Sequence, residues 1–246
     1  MELMPALFWG LLAGSSLLLG AALGWFATPS ARVTAGVMAF GSGVLVSAIA
    51  FELMDEALRT GGLLPSVLGF LAGAAAFTLG TVMLAARGAR HRKRSASVAG
   101  AGGAAALAIA LGSVFDGIPE SMVIGLSLLD GGSVSLPIVA AIFLSNVPEG
   151  MSSAVGMKRS GLSKRYVFGL WSVIALLCGM GSLAGYALFD TAPPEYVAVA
   201  QGVAAGAMLA MIADTMIPEA FDATHNAAGL ITATGFVTAF VLSHLV

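Results

Sequence analysis

Residues 145–150 read Ser145-Asn146-Val147-Pro148-Glu149-Gly150, in the middle of an apolar run spanning 134–157. A second stretch of the same kind, Asp116-Gly117-Ile118-Pro119-Glu120-Ser121, lies in the run before it, 105–128. About 20 apolar residues suffice for a helix to cross the hydrocarbon core of a bilayer. Two carboxylate-bearing, proline-broken hexads inside runs of that length describe helices whose surroundings are lipid and whose interior is polar. Further runs at 7–27, 33–54, 65–86, 166–189, 196–220 and 227–246 flank the pair on either side. The expectation is an all-α membrane protein: one transmembrane domain over 1–246 with eight transmembrane helices.

Composition agrees with that reading. The chain is 58% hydrophobic and only 10% charged, with a mean hydropathy of +0.96, whereas soluble domains carry about a quarter charged residues. Its 32 glycines have no collagen-like period and suit helices that approach closely through small residues. The single cysteine, Cys178, excludes an internal disulfide and a thiolate metal cluster. Met1-Glu2-Leu3-Met4-Pro5 lacks the basic region of a secretory signal, so the first run is expected to stay as a spanning helix.

The breaks between runs are turn-like or charged: Thr28-Pro29-Ser30, Gly61-Gly62, Arg87 to Gly103, Asp130-Gly131-Gly132, Lys158 to Arg165, Pro193-Pro194 and Asp222 to Asn226. Bases in short loops stay cytoplasmic. With both termini outside, alternate loops put Arg32, the five bases of Arg87 to Arg94, and Lys158, Arg159, Lys164 and Arg165 inside. Only Arg59 of the 11 bases is then left outside. The stretch 87–103 is thus expected to be a basic cytoplasmic loop ending in a mobile Gly/Ala/Ser linker, in preference to a nucleic-acid or anionic-lipid patch. Gly43 to Ala57 also aligns without gaps on Gly206 to Ala220, matching at Gly43/Gly206, Ile49/Ile212, Ala50/Ala213, Glu56/Glu219 and Ala57/Ala220. That echo leaves an inverted repeat of the end triplets open.

Of 13 acidic residues, Glu52, Asp116, Glu120, Glu149, Asp214 and Glu219 fall in or at the margin of the runs, and no Lys or Arg does. A carboxylate at that depth costs a few kcal/mol or more, so it is normally held by a cavity, a proton path or an ion. Asp116 and Glu120 share a helix face at i and i+4. Ser145 and Asn146 precede Glu149 by four and three residues, adding two neutral oxygen ligands to one carboxylate. Pro119 and Pro148 deprive the carbonyls of Phe115 and Leu144 of their donors, and Pro218 does the same to Asp214. Prolines also kink membrane helices without binding anything, and a lone buried Glu can be a protonated packing residue. Three Pro-Glu pairs in three runs argue against that reading. Asp214 and Glu219, five apart, point to different faces of an α-helix. Glu52, Asp55 and Glu56 read either as a solvated helix end or as lining of a pathway. His91, His225 and His244 lie in loops or near the end of the chain, and the 12 methionines are scattered fillers.

These residues resemble the ZIP family of divalent-metal transporters, which carry His-Asn-x-Pro-Glu-Gly or close variants on the fourth and fifth of eight helices. The resemblance covers essentially the whole chain. It implies a 3+2+3 fold, with inverted repeats of helices 1–3 and 6–8 enclosing helices 4 and 5. It implies transport of a divalent cation (zinc, manganese or iron) as substrate, by rocking of one bundle against another around a central carboxylate site. Glu120 and Glu149 match bridging glutamates and Asn146 a second-site ligand. Asp116 and Ser145 stand where the family often has His, Gly117 where Asn is usual, and Thr215 where an acid is frequent. Glu52 fits an accessory pathway acid. Imidazole suits zinc, whereas an all-oxygen site suits harder ions such as Mn²⁺. The metal-site expectation is therefore Asp116, Glu120, Ser145, Asn146, Glu149, Asp214, Glu219 and Glu52. The expected partners are the cation and the lipid bilayer, with a homodimer left open and no nucleic acid. The expected location is the inner membrane of a bacterium. The rival is a ZIP-like protein that has lost metal transport and serves another cargo or a regulatory role. An intramembrane enzyme is not expected, since no Gly-x-Gly-Asp, His-Glu-x-x-His or Glu-x-x-His motif lies in the runs.

Overall fold

A computed structural model describes residues 3–86, 102–129 and 133–245. The basic stretch Arg87 to Arg94 and Asp130-Gly131-Gly132 lie outside the described residues. Every regular element among the described residues is helical. Helix α1 (Leu3–Ala22) runs on through a π segment, Leu23–Ala27. Helices α2 (Ala31–Ala48) and α3 (Met54–Gly61) are joined by a second π segment, Ile49–Leu53. Next come α4 (Leu63–Ala86), α5 (Gly102–Ser127), α6 (Leu136–Arg159) and α7 (Lys164–Phe189). Helix α8 (Pro194–Met211) passes through a third π segment, Ile212–Met216, into α9 (Ile217–Thr224). One 3-10 turn, His225–Ala227, leads to α10 (Ala228–Leu245).

The ends follow from local chemistry. Ser30, Ser135 and Ser163 cap α2, α6 and α7, each accepting from the backbone N–H three residues on. Gly62 and Gly161 take positive φ, 85° and 78°, where a Cβ would be strained. Thr28 and His225 also turn the chain at positive φ. The rod begun at α2 does not stop at 54. It continues to Gly61, because α3 buries Ala57 while Asp55 and Arg59 pair at 2.7 Å on its exposed side.

Glycines set the close helix pairs. Gly43 on α2 meets the Thr232 carbonyl of α10, and Gly235 of α10 meets that of Phe40. Gly206 on α8 meets the Phe70 carbonyl of α4, and Gly73 of α4 meets that of Val203. Gly20 on α1 lies against Val147 of α6, and Gly185 on α7 against Met122 of α5. The partners run parallel, since numbers rise together from Gly69–Val199 to Gly73–Val203, from Gly20–Val147 to Gly24–Met151, from Gly117–Cys178 to Gly125–Ser182, and from Gly36–Ile231 to Phe51–Phe240. Helices α1 and α7 run antiparallel, with Gly10 against Ser182 and Gly14 against Ala175. One end of the bundle accordingly gathers Trp25, Ser30, Arg159, Lys164 and Asp222, and will be termed the basic end. The other gathers Ala6, Glu56, Leu128 and Glu195.

Among the described residues, six helical stretches are long and apolar enough to cross a membrane: Leu3–Ala27, Ala31–Gly61, Leu63–Met83, Leu136–Arg159, Lys164–Phe189 and the 52-residue Pro194–Leu245. Large apolar side chains such as Leu68, Leu71, Leu79, Leu176 and Leu230 are exposed along them, as lipid-facing surfaces require. The chain is an all-helical protein with the character of an integral membrane protein.

Candidate functional site

Helices α5 and α6 occupy the middle of the bundle, α5 against α7, α8 and α1, and α6 against α1 and α2. Asp116 and Glu120 of α5 are 1% and 2% exposed, and Glu149 of α6 is 7% exposed. Among the described residues these three are the only buried charged side chains, and no Lys, Arg or His is buried with them. Ser145 and Asn146 are buried on α6, with Ser152 and Ser153 two turns beyond Ser145. The Ser145 hydroxyl donates to the Ile142 carbonyl at 3.0 Å, which leaves its lone pairs for an electrophile. Pro119 and Pro148 lie inside their helices, as the sequence predicts. Pro218 differs: it falls in the first turn of α9, directly after a π segment that has already broken the α-helical pattern.

The Cys178 thiol of α7 is 3.3 Å from where a Cβ on Gly117 would stand. Gly117 therefore does more than omit a side chain, since the space beside it is taken by the thiol. Among the described residues, no three His, Cys, Asp or Glu side chains are gathered tightly enough to hold a metal ion. Ligands beyond two carboxylates would have to come from Asn146, Ser145 and the carbonyls freed by proline.

The centre connects differently to the two ends. Glu149 lines a small cavity with Ser152, Ser153, Thr215 and Glu219 of roughly 10 Å³, room for about one water. That cavity shares Met38, Ser152 and Glu219 with a cleft of about 270 Å³ at the basic end, which Thr34, Arg159 and Asp222 also line. Toward the other end, Leu45, Ile49, Leu53, Val123, Ile138, Ile142 and Met208 form an apolar layer around about 10 Å³. Beyond it opens a cavity of about 190 Å³ lined by Glu52, Glu56, Ser127, Ser135 and Gln201.

The structure thus brings Asp116, Glu120, Ser145, Asn146 and Glu149 into the buried centre and Glu219 into the path toward the basic end. Glu52 stands apart, across the apolar layer. Asp214 is exposed and lines none of these cavities, whereas its neighbour Thr215 does. Two residues with a part in the polar interior escape the sequence reading, Cys178 and Gln201. Gln201 carries a signal: it is the only glutamine in the chain and stands inside an apolar run, where a buried amide needs a reason. No protein-family model matches the chain, and no curated protein matches it in sequence.

Proposed function

We propose that the chain is a carrier of divalent metal cations resembling the ZIP family, with Asp116, Glu120, Asn146 and Glu149 as its central site and Ser145 beside them. The observation that carries this reading is the burial of three carboxylates on the two central helices, joined by a polar route through Glu149 and Glu219 to the basic end. Carboxylates buried this deeply are neutralised by protons or by a bound cation, and oxygen-only donors favour a harder ion such as Mn²⁺.

Eight crossings belong to the proposal. A 52-residue helical stretch is about 78 Å long at 1.5 Å per residue, far beyond one bilayer core, and it turns at His225. Counting α8–α9 and α10 separately, and adding the 26-residue α5, gives eight. An inverted repeat is supported by matched pairs. The π segments Ile49–Leu53 and Ile212–Met216 fall on the two halves of the sequence echo, and the Gly43–Thr232 contact mirrors that of Gly206 with Phe70. On the same alignment Glu56, in the cavity far from the basic end, corresponds to Glu219 in the path toward it. Two pseudo-equivalent cavities, one joined to the centre and one shut off by apolar side chains, fit a carrier halted with its centre open to the basic end. We place the basic end in the cytoplasm and both termini outside, by the distribution of bases.

Reconstituted protein should carry Mn²⁺ into proteoliposomes, read by quenching of an enclosed metal-sensitive dye. Absence of flux and of binding for Mn²⁺, Zn²⁺ and Fe²⁺ alike would defeat the reading. It would favour the rival that a thiol packed against Gly117 also suits, a ZIP-like fold kept for another role. Cell-impermeant thiol labelling tests the orientation against a low background, since the natural Cys178 is buried. Lys164→Cys should stay unlabelled from outside and Arg59→Cys should react; the reverse pattern overturns the orientation.

A further inference from the structure

We infer that the cavity lined by Glu52, Glu56 and Gln201 is a separate station for a partly hydrated, hard divalent cation, occupied before the ion reaches the central carboxylates. The inference rests on the transport reading and adds a site outside the centre. The apolar layer of Leu53, Val123 and Ile138 bounds this cavity on the central side, so an ion held here is not an ion at Glu120 or Glu149.

Gln201 supplies the observation that goes beyond a pair of acids. Its side chain is 3% exposed and lines the cavity, and its amide oxygen has no hydrogen-bond partner among the described residues. An unsatisfied buried carbonyl oxygen costs free energy unless a ligand meets it. Packing does not demand the amide. On the alignment that pairs the two π segments, the counterpart of Gln201 is Met38, an equally buried thioether lining the cavities on the basic side. The fold accepts an apolar chain at this kind of position, and the amide appears where two carboxylates line the same cavity.

The carboxylates are positioned and have capacity to spare. Glu52 sits in the π segment and accepts from the Ser135 hydroxyl at 3.3 Å, while the Ser135 N–H donates to the Ser127 hydroxyl at 3.3 Å. Glu56 accepts from Thr60 on one carboxylate oxygen at 2.9 Å, leaving the other. The nearby base, Arg59, is turned to solvent and paired with Asp55. About 190 Å³ holds several waters along with an ion. Two carboxylates, an amide oxygen and hydroxyls with water are the donor set of a hard cation and a poor one for an ion that prefers nitrogen or sulfur.

The test measures Mn²⁺ binding to the full chain in nanodiscs by the electron paramagnetic resonance signal of free Mn²⁺. The double variant Glu120→Gln/Glu149→Gln removes the centre and should retain one Mn²⁺ site. In that background Glu52→Gln should abolish binding, and Gln201→Met, which installs the side chain of its repeat counterpart, should weaken it about tenfold. Gln201→Glu should tighten it by a similar factor, an effect that mere misfolding cannot produce. If wild type binds Mn²⁺ but the double variant does not, the station is refuted and the central site stands. A residual site indifferent to Glu52→Gln and to both Gln201 changes refutes it equally. Absence of binding even in wild type defeats both readings.

Discussion

Glu120→Gln and Glu149→Gln should each cut Mn²⁺ flux by at least about a hundredfold while the protein stays folded. Glutamine keeps the volume and one oxygen of the glutamate and removes only the charge. Losing one partner of a buried, mutually compensated charge arrangement typically costs about 3–5 kcal/mol, and roughly 2.7 kcal/mol already corresponds to a hundredfold in affinity. Without metal, the same substitutions should leave thermal stability unchanged or slightly higher, because each removes a group whose charged form is penalised by burial. Loss of flux with unaltered melting and a monodisperse profile is the expected pair of results. Flux within about twofold of wild type in both variants would show that the buried carboxylates are packing residues, and the central site would have to be abandoned.

The two hexads predict the middle of the fold because proline, glutamate and a long apolar run leave few alternatives. A helix that carries a carboxylate through lipid must sit in the interior, and α5 and α6 do. What the sequence does not disclose is the path of the chain within a helix. The echo between Gly43–Ala57 and Gly206–Ala220 is weak as identity, yet it marks the two π segments, where one extra residue per turn rotates everything beyond it. In an α-helix the i+5 spacing sends Asp214 and Glu219 to different faces, and across the π segment Asp214 is indeed exposed while Thr215 joins Glu219 at a cavity. Thr215 stands four residues before Glu219, the spacing that puts two side chains on one helix face.

Ambiguity at the end of the second rod comes from where the helix stops. Asp55, Glu56 and Arg59 look like the place where a helix leaves the membrane, and two of them do pair in the open. Glu56 instead lines the cavity with Glu52, because the helix continues past 54 and a spacing of four puts both on one face. The thiol beside Gly117 is beyond the reach of sequence for another reason. Cys178 comes from α7, and only the close approach of α5 and α7 at Gly125 and Gly185 brings it there. Pair contacts of this kind depend on which helices meet, and an apolar run does not encode its neighbour.

Replacing Asp116 and Ser145 together by His should raise the affinity for Zn²⁺ relative to Mn²⁺ by at least about tenfold, the general direction in which imidazole shifts preference toward later first-row ions. Both positions are 1% exposed, on the facing helices that carry Glu120 and Glu149. A nitrogen donor at each would therefore stand among carboxylate oxygens, away from water. The neighbouring Gly117 is left alone, because a side chain there would have to displace the Cys178 thiol at 3.3 Å. Room is the chief obstacle at 145, where α2 comes close at Gly41, so the pair Asp116→Asn/Ser145→Asn serves as a bulkier, non-imidazole control. Titration of both ions by calorimetry should be run at a pH of about 7.5 and again near pH ~5.5, on either side of the ordinary histidine pKa of about 6.5. A histidine ligates only when neutral, so the zinc gain should shrink at the lower pH. The asparagine pair should show neither the gain nor its pH dependence. A folded histidine variant with an unaltered zinc-to-manganese ratio at both pH values would mean that Asp116 and Ser145 do not touch the ion, and would confine the site to Glu120, Asn146 and Glu149.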